Sequence, residues 1–384
     1  MTGRVERQRP DSPGDEGGPL WPPGVTATVG AAAAVAVVAG VREVSWLVAP
    51  AFLAAVIVIT VLPVQRWLRA RGVPSWLATT LLAGVVYGAL IALTAVLVVS
   101  LAQLAAVLPR YRDEATALAD SVTRAVADLG VDAHQLGGLA AGADYGGLVS
   151  WTGDLVRGVS GALSSLALLL TLLFFLSMEA AGARLRLALL AEDRPRLADA
   201  LRGFARSTRR CVAVSTAFGL LTGLVDAVAL ALLGVPLAPL WGLLVFITNY
   251  VPYVGFWIGI VPPTLLALLE GGWHLALAVA AVYTLVNFVL TLLIEPKYIG
   301  DVVDLSVTVT LVSLVFWAWV LGSVGAILAV PLTLLVKALL EDANPRARWA
   351  DALLRSDREI RARSARSRRE PTAPGLPAAE EPPG

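Results

Sequence analysis

The residues in this sequence that could carry chemistry are polar side chains set inside long apolar runs. Asp226 is the only acid that lies well inside one of these runs. A carboxylate buried in a bilayer is costly, and such residues usually serve an ion or proton path or pair with a polar neighbour. The pattern therefore makes Asp226 a candidate ion or proton carrier. The alternative is that Asp226 lies near the outer end of its helix and reaches water with its side chain.

A second candidate is the interruption of the apolar pattern at residues 248–255, which read Thr-Asn-Tyr-Val-Pro-Tyr-Val-Gly. Proline removes a helical hydrogen bond, and glycine permits a turn or a close approach. A broken backbone at membrane depth is tolerated only where it is buried in protein or lines a cavity, and many secondary transporters bind substrate at such breaks. The pathway residues predicted at this break are Asn249, Tyr250, Pro252, Tyr253 and Gly255. The alternative is a short interfacial loop between two ordinary helices, with its tyrosines in an aromatic belt.

Weaker signals of two kinds lie near these candidates. Asn287, in the seventh apolar run, is expected to make an interhelical hydrogen bond. Glycine pairs at four-residue spacing, Gly219 with Gly223 and Gly255 with Gly259, predict close helix packing.

Enzymatic motifs are absent from the sequence. It has only two histidines, His134 and His274, which lie in separate loops, and its single cysteine, Cys211, excludes an intrachain disulfide and a cysteine-based metal cluster. No HExxH, GxSxG, Walker A or dinucleotide fingerprint is present. We therefore predict that the protein is not an enzyme and has no catalytic or metal site, no cofactor and no nucleic-acid partner. It cannot power transport by its own ATP hydrolysis.

The elements that must position these residues are apolar helices. Hydrophobic residues make up 57% of the chain and charged residues 15%, against about 25% charged in soluble domains. The apolar runs lie at about 25–41, 44–63, 76–104, 157–178, 211–233, 240–269, 272–294 and 305–336. Most of them reach the roughly 20 residues that a helix needs to cross a bilayer. The pattern predicts an all-α, polytopic integral membrane protein with about eight membrane segments and one outward helical extension.

Two of these runs allow more than one structure. Residues 240–269 and 305–336 are each interrupted by proline or glycine, so each could be one broken helix or a re-entrant hairpin. If both were hairpins, the loop at 295–304 would move from the outside to the cytoplasm. The sequence leaves both arrangements open.

Arginine distribution predicts the orientation, because cytoplasmic loops carry an excess of basic residues. Residues 179–210 contain eight arginines and residues 346–369 contain nine, whereas residues 105–156 contain three against seven acids. Both termini and 179–210 are therefore expected in the cytoplasm, with 105–156 outside. The predicted organisation is a disordered tail (1–24), three transmembrane helices (25–104), an extracytoplasmic helical segment (105–156), a transmembrane helix (157–178), an Arg-rich cytoplasmic amphipathic segment (179–210), a transport core (211–336) and a basic segment with a disordered tail (337–384).

Two segments outside the membrane carry their own periodicity. From Leu104 to Leu129 apolar residues follow the alternating spacing of a coiled-coil seam. This seam could pack against a neighbouring helix of the same chain or join copies in a homo-oligomer. After Pro195, an Arg-rich helix with one apolar face is expected at the membrane surface, with its arginines toward anionic headgroups.

Three motifs bring the chain close to a known family. Residues 249–255 resemble the family's Phe/Tyr-Ile/Val-Pro-Tyr-Ile/Val-Gly motif, and Ile-Glu-Pro-Lys-Tyr-Ile-Gly at 294–300 resembles its Ile-Glu-Pro-Lys-x-x-Gly signature. Residues 322–331 resemble its closing Gly-x-x-Gly-x-x-x-Ala-Val-Pro element. With these motifs in order, and with an apolar layout that extends over 25–345, the chain is identified as a member of the autoinducer-2 exporter family, also called the PerM-like permeases.

The resemblance implies a transporter of small molecules or ions in the cytoplasmic membrane of a bacterial cell. Family members include an exporter of a quorum-sensing furanone and others that exchange sodium or lithium for protons, and the family also implies a homo-oligomer. The resemblance adds Glu295, Pro296, Lys297 and Gly300 to the predicted pathway, and Glu295 could pair with Lys297 across it or form an exposed loop ion pair. It further marks Gly322, Gly325 and Pro331 as packing or hinge positions.

Three hypotheses follow for function. The first is a secondary exporter of a small organic solute, such as a signalling molecule, whose pathway combines the 248–259 break with the 294–304 loop. The second is a sodium (lithium)/proton antiporter that uses Asp226 as its carrier. The third is a membrane scaffold that transports nothing and uses the outer helix as a docking surface.

Overall fold

A computed structural model of the chain describes residues 23–107, 124, 145–180, 182–294 and 306–339. Regular structure within these ranges is helical throughout, which confirms the predicted all-α class. The helices are α1 (Pro23–Glu43), α2 (Ser45–Ala70), α3 (Ser75–Val107), α4 (Tyr145–Glu179), α5 (Ala183–Asp193), α6 (Pro195–Leu232), α7 (Ala238–Thr248), α8 (Gly255–Asn287, continued by a π-helix at Phe288–Ile294), α9 (Val307–Ile327) and α10 (Ala329–Lys337).

Six of the described helices have the length and apolar composition to cross a membrane: α2, α3, α4, α6, α8 and α9, of which α8 and α9 each contain a glycine break described below. The polytopic membrane protein that the sequence predicts is thereby confirmed. α7 is apolar too, but its 11 residues extend only about 16 Å. That length is too short to cross a bilayer core of about 30 Å unaided.

The two ends of the helix bundle differ in charge. Arg66 of α2 lies within electrostatic range of Arg184 of α5 and Arg209 of α6. We call this side of the bundle the arginine end. At the opposite end, the guanidinium carbon of Arg42 lies 4.4 Å from the centroid of the Trp319 ring. Arg42 lies just before the N-terminus of α2, and Arg66 lies near its C-terminus. α2 therefore runs from the opposite end of the bundle to the arginine end.

α7 runs back along α6 after a turn at residues 233–237. The Asn249 side chain donates from Nδ2 to the Ser215 carbonyl at 3.1 Å. Farther from the arginine end, a Cβ on Gly223 would collide with the Gly242 carbonyl. Because residue numbers fall along α7 as they rise along α6, the pair is antiparallel. The turn that follows α7 therefore lies toward the arginine end.

α8 consists of two antiparallel halves rather than one continuous helix. Gly272 has φ 69° and ψ −167°, which lies outside the helical region and divides α8 into residues 255–271 and 273–287. Gly259 of the first half and Tyr283 of the second line the same cavity. The second half therefore returns beside the first.

This geometry decides between the two arrangements that the sequence leaves open for residues 240–269. The run forms a hairpin, with α7 and the first half of α8 as its arms and residues 249–254 as its turn.

The run at 305–336 folds back on itself in the same way. Gly322 has φ 70° and ψ −152°, again outside the helical region. Trp317 donates from Nε1 to Thr333 Oγ1 at 3.1 Å, which holds α10 against α9. Since the Trp319 ring lies at the opposite end, the tip of this second hairpin lies there as well.

Two hairpins together place Ile294 and Ser306, the residues that flank the next gap, toward the arginine end. In the sequence-based alternative with two hairpins, the intervening loop lies on the side of the cytoplasmic arginines. Residues 295–305 themselves lie outside the described residues, and so do most positions of the predicted coiled-coil seam. Its first residue, Leu104, packs against the core that α6, α7 and α8 share.

Exposed tryptophans form two belts around the bundle. Near the arginine end these are Trp67, Trp76 and Trp257, and near the opposite end they are Trp46, Trp273 and Trp319; each is more than half exposed. Tryptophan is enriched at both interfaces of a membrane. On α2 the belts are about 21 residues apart, or roughly 31 Å at the helical rise. That separation matches a hydrocarbon core of about 30 Å.

Candidate functional site

The apolar part of α6 has its polar residues inside and its leucines outside, as expected of a helix in lipid. The buried face consists of Gly219, Thr222, Gly223, Asp226 and Leu230. The exposed face includes Leu220, Leu224 and Val228. Polar side chains are placed inward because hydrocarbon offers them no hydrogen-bond partners. Asp226 is 1% exposed, so its side chain does not reach water.

Close glycine contacts bring α7 against this buried face. A Cβ on Gly242 would lie 2.7 Å from the Ala227 Cβ, and a Cβ on Gly219 would lie 3.1 Å from the Asn249 side chain. Small residues let membrane helices approach at the backbone. The glycine spacing on α6 therefore serves helix packing, as the sequence predicts.

The turn at 249–254 is compact and hydrogen-bonded. The Val251 amide donates to the Thr248 carbonyl at 2.9 Å, and the Gly255 amide donates to the Val251 carbonyl at 3.0 Å. A Cβ at position 255 would overlap the Thr248 carbonyl oxygen. Only glycine therefore allows α8 to start so close to the end of α7. Tyr253 has a left-handed φ of 65°.

Polar side chains of this turn bind α6. The Tyr250 hydroxyl lies 2.7 Å from Thr216 Oγ1, and both side chains are partly buried. Asn249 makes the second contact of the turn with α6, because its side chain donates a hydrogen bond to the Ser215 carbonyl, as described above. Tyr253, in contrast, is 56% exposed. The aromatic-belt alternative therefore describes Tyr253 but not Tyr250.

A small cavity lies where α6, the end of α7 and both halves of α8 meet. Its empty volume is about 310 Å³ with its mouth included, and the enclosed part has room for about two water molecules. The lining residues are Thr222, Asp226, Val245, Thr248, Asn249, Gly255, Phe256, Gly259, Tyr283 and Asn287. The C-terminal end of α7 and the N-terminal end of α8 both reach this cavity. Broken helices of transporters present such ends to substrates and coupling ions.

Buried oxygen atoms in this lining lack hydrogen-bond partners among the described residues. They are Asp226 Oδ1, the Thr222 hydroxyl and the Tyr283 hydroxyl. Buried polar atoms are normally paired, so an unpaired set calls for water, an ion or a solute. Together with the carbonyl groups that end α7, these oxygens suit a small cation or a proton-donating solute.

The structure brings only some of the predicted site residues to this cavity. Asp226, Asn249 and Gly255 line it, whereas Pro252 and Tyr253 lie in the turn outside it. Tyr250 belongs to the same turn, and its hydroxyl contacts Thr216 of α6. Gly322, Gly325 and Pro331 belong to the second hairpin, where a Cβ on Gly325 would overlap the Trp317 carbonyl. Glu295, Pro296, Lys297 and Gly300 lie outside the described residues.

Among the polar residues of the lining, Thr222 and Tyr283 were not predicted. Thr222 lies one helical turn before Asp226, and Tyr283 lies one turn before Asn287. Residues four apart share a helix face. Both lining residues could therefore have been predicted from their spacing to Asp226 and Asn287. No group of three His, Cys, Asp or Glu side chains among the described residues could hold a metal ion.

Comparisons with known proteins agree with this architecture. A family model described as AI-2E family transporter matches residues 31–344. The AI-2 transport protein TqsA of Escherichia coli (strain K12) is 33% identical over 314 residues, which cover 80% of this chain and 89% of that protein. YhhT of the same strain is 31% identical over 313 residues, covering 81% of this chain and 88% of YhhT. MT0215 of Mycobacterium tuberculosis is 29% identical over 320 residues, covering 78% and 84%.

Proposed function

The chain belongs to the AI-2E transporter family, and on that premise we propose that this multi-pass membrane transporter exports a small organic solute without hydrolysing ATP. Autoinducer-2 is the first solute to test, because the Escherichia coli relative TqsA is named as an AI-2 transport protein. Family membership favours transport over an enzymatic role. It also favours transport over the scaffold hypothesis.

The observation that carries the proposal is the cavity beside Asp226. A carboxylate and two hydroxyl groups meet there at membrane depth, between the ends of two broken helices. A small solute that carries hydroxyl groups could satisfy these atoms by hydrogen bonds. The cavity as it stands is too small for such a solute with its water, so transport requires the hairpin of α7 and α8 to move relative to α6.

The arginine end would face the cytoplasm of a bacterial cell, with both chain termini on that side, because basic segments are retained there. The turn at 249–254 lies toward this end. A solute would therefore enter beside the turn and pass Asp226 on its way out. Glu295, Pro296, Lys297 and Gly300 remain proposed parts of the transport pathway, and Gly322, Gly325 and Pro331 remain proposed packing or hinge positions.

The test is uptake of labelled autoinducer-2 by inside-out vesicles, in which export becomes uptake. The isosteric changes Thr222→Val and Tyr283→Phe each remove one cavity hydroxyl without changing the lining's shape. A lost hydrogen bond of about 1 kcal/mol should lower uptake by roughly fivefold. Thr171→Val is the matched control, because Thr171 is exposed and its hydroxyl bonds only the Ala167 carbonyl of its own helix. Wild-type uptake equal to that of empty vesicles, or full uptake by both variants, would contradict the proposal.

A second candidate function is sodium (lithium)/proton antiport, and the specific observation that favours it is the unpaired oxygen of Asp226. A carboxylate that is 1% exposed needs a proton or a cation as partner. Alternation between these two partners would exchange one for the other across the membrane.

This candidate is tested in inside-out vesicles with a pH-sensitive dye. Sodium, lithium or potassium is added to an energised membrane, and collapse of the pH gradient is recorded. Antiport through Asp226 requires a collapse with wild type that Asp226→Asn abolishes. Asp199→Asn is the control, since Asp199 is exposed on the same helix and pairs with Arg202 at 2.8 Å. No cation-triggered collapse with wild type would remove antiport from consideration.

We also propose that copies of the chain associate as a homo-oligomer, which is one of the two arrangements that the heptad pattern from Leu104 to Leu129 allows. Light scattering of the purified protein, with Leu118→Asp and Leu129→Asp as variants on the seam, tests this. A monomer in wild type would exclude it.

A further inference from the structure

Three arginines converge at the arginine end from three different helices. The positive charges of Arg184 on α5 and Arg209 on α6 act on that of Arg66 on α2. Arg66 and Arg184 are exposed, and Arg209 is half-buried. Arg184 and Arg209 each lie within electrostatic range of Arg66, and like charges at that range repel one another, so an anion beside Arg66 is favoured.

The described residues supply no carboxylate to this trio. The ion pairs found nearby join Arg186 with Glu179 and Arg202 with Asp199. Neither pair includes Arg66, Arg184 or Arg209. Among the described residues, the charge of the trio is therefore left without a counter-ion.

An apolar groove begins beside these arginines. It lies between α2, α3 and α4 and has an empty volume of about 470 Å³ with its mouth included. Its lining is aliphatic except for Gln65, Thr79 and Ser177. Gln65 donates from Nε2 to Thr79 Oγ1 at 2.7 Å. These polar groups cap the groove at the end where Arg66 follows Gln65.

The groove has the length and direction of a lipid chain in one leaflet. Along α2 its lining extends from Ile57 to Gln65, about 12 Å at the helical rise. One leaflet of a bilayer core is about 15 Å deep. The lining continues past the end of α4 to Ala180, and Arg184 follows four residues later in the chain. The exposed rings of Trp67 and Trp76 mark this level as a membrane interface.

We propose that this end of the molecule is a binding site for one anionic phospholipid. The phosphate would lie among Arg66, Arg184 and Arg209, and one acyl chain would lie in the groove between α2, α3 and α4. Basic pockets between membrane helices are suited to anionic headgroups. A soluble phosphate would satisfy the arginines but would leave the groove empty. A bound lipid would join α2, α5 and α6, and would thereby hold the Arg-rich segment against the membrane helices.

The experiment is native mass spectrometry of the purified full chain titrated with phosphatidylglycerol, with phosphatidylcholine of the same acyl chains as reference. Each arginine near an anionic surface contributes about fivefold in affinity. The triple variant Arg66→Gln, Arg184→Gln, Arg209→Gln should therefore bind phosphatidylglycerol about 100-fold more weakly. The control variant Arg194→Gln, Arg196→Gln, Arg206→Gln removes the same charge from the N-terminal part of α6 and should leave most of the affinity.

Further measurements distinguish a bound lipid from bound inorganic phosphate. They also cover the case in which the triple arginine variant fails to fold. Arg184→Gln alone, on the short surface helix α5, should weaken binding by about fivefold. Ala83→Leu narrows the groove and should weaken binding at least about fourfold, the equivalent of one methylene left unburied. Inorganic phosphate at millimolar concentration should not displace the lipid.

The proposal is overturned if phosphatidylcholine binds as tightly as phosphatidylglycerol, or if the trio variant and its charge-matched control lose equal affinity. Displacement of the lipid by inorganic phosphate, or unchanged binding in Ala83→Leu, would indicate a simple anion site and would also overturn it. Each outcome is independent of which solute the protein transports.

Discussion

At the scale of single residues, Asp226 shows what a membrane sequence reveals and what it hides. An acid inside an apolar run is visible in the sequence, because every neighbour along the chain is hydrophobic. Its surroundings are visible only in part, because Thr222 lies four residues away on the same helix, whereas Tyr283 comes from a helix that returns through two turns. Asn249 and Gly255 could be predicted as site residues for the same reason as Asp226. The remaining lining depends on which helices become neighbours.

Asp226→Asn should separate the stability of the protein from its function. A buried carboxylate without a partner opposes folding, because its desolvation is not repaid by hydrogen bonds. We therefore expect the asparagine variant to melt at the same temperature as wild type or a higher one, while its transport is lost. Thermal unfolding in detergent, followed by tryptophan fluorescence, measures the first effect. A large decrease in melting temperature would mean that the carboxylate is paired in the folded protein.

Gly255→Ala should destabilise the protein more than an alanine at an open glycine inside a regular helix. The added methyl group would overlap the Thr248 carbonyl, so the turn or the start of α8 must shift. Overpacking of this kind costs about 1–3 kcal/mol. Gly88→Ala on α3 is the matched control, since nothing lies within 4 Å of a Cβ there. Equal melting temperatures for the two variants would show that the turn is looser than its contacts indicate.

At the scale of elements, the fold depends on where apolar runs reverse. The break at 248–255 was predictable, because proline and glycine interrupt the run within a few residues. The reversal at Gly272 coincides with the boundary between two apolar runs, which Glu270 and two glycines separate. Pro262 and Pro263, in contrast, lie within the first half of α8 and do not end it. Whether 240–269 and 305–336 are broken helices or hairpins was not predictable, because both arrangements have the same composition.

Gly272→Ala tests the reversal of α8. Its φ of 69° with ψ of −167° lies in a region that is open essentially only to glycine. An alanine there should cost about 1–3 kcal/mol in backbone strain, although no atom lies within 4 Å of its Cβ. Gly84→Ala, at a helical position that is also open, should be neutral or stabilising. If Gly272→Ala melts like Gly84→Ala, the reversal at this position is wrong.

At the scale of the whole molecule, charge and hydrophobicity averaged over long runs determined what could be predicted. The all-α membrane fold and the clustering of arginines at one end follow from such averages. The convergence of Arg66, Arg184 and Arg209 does not, since three helices must first be placed around it. The belts of tryptophan likewise appear only when positions far apart in the chain reach the same level.

The single native cysteine makes the orientation directly testable. In a Cys211→Ser background, cysteines replace His274 near the Gly272 reversal and Glu192 near the arginine end. A membrane-impermeant thiol reagent added to intact cells should label position 274 and should label position 192 only after permeabilisation, because basic segments stay in the cytoplasm. The reverse pattern would invert the proposed direction of transport. Labelling at both positions in intact cells would mean that the chain does not have one fixed orientation.

The spacing of the two tryptophan belts also predicts the local thickness of the surrounding bilayer. Trp46 and Trp67 on α2 are about 31 Å apart along the helix, whereas Trp257 and Trp273 on α8 are separated by about 16 residues, or roughly 24 Å. Hydrophobic mismatch of several ångström costs a fraction of a kcal/mol for each ångström and is relieved by tilt or by local thinning of the bilayer. The membrane should therefore be thinnest beside α8, next to the cavity. A thinner barrier at that place shortens the distance a polar solute must travel, so a host membrane of shorter acyl chains should support faster transport.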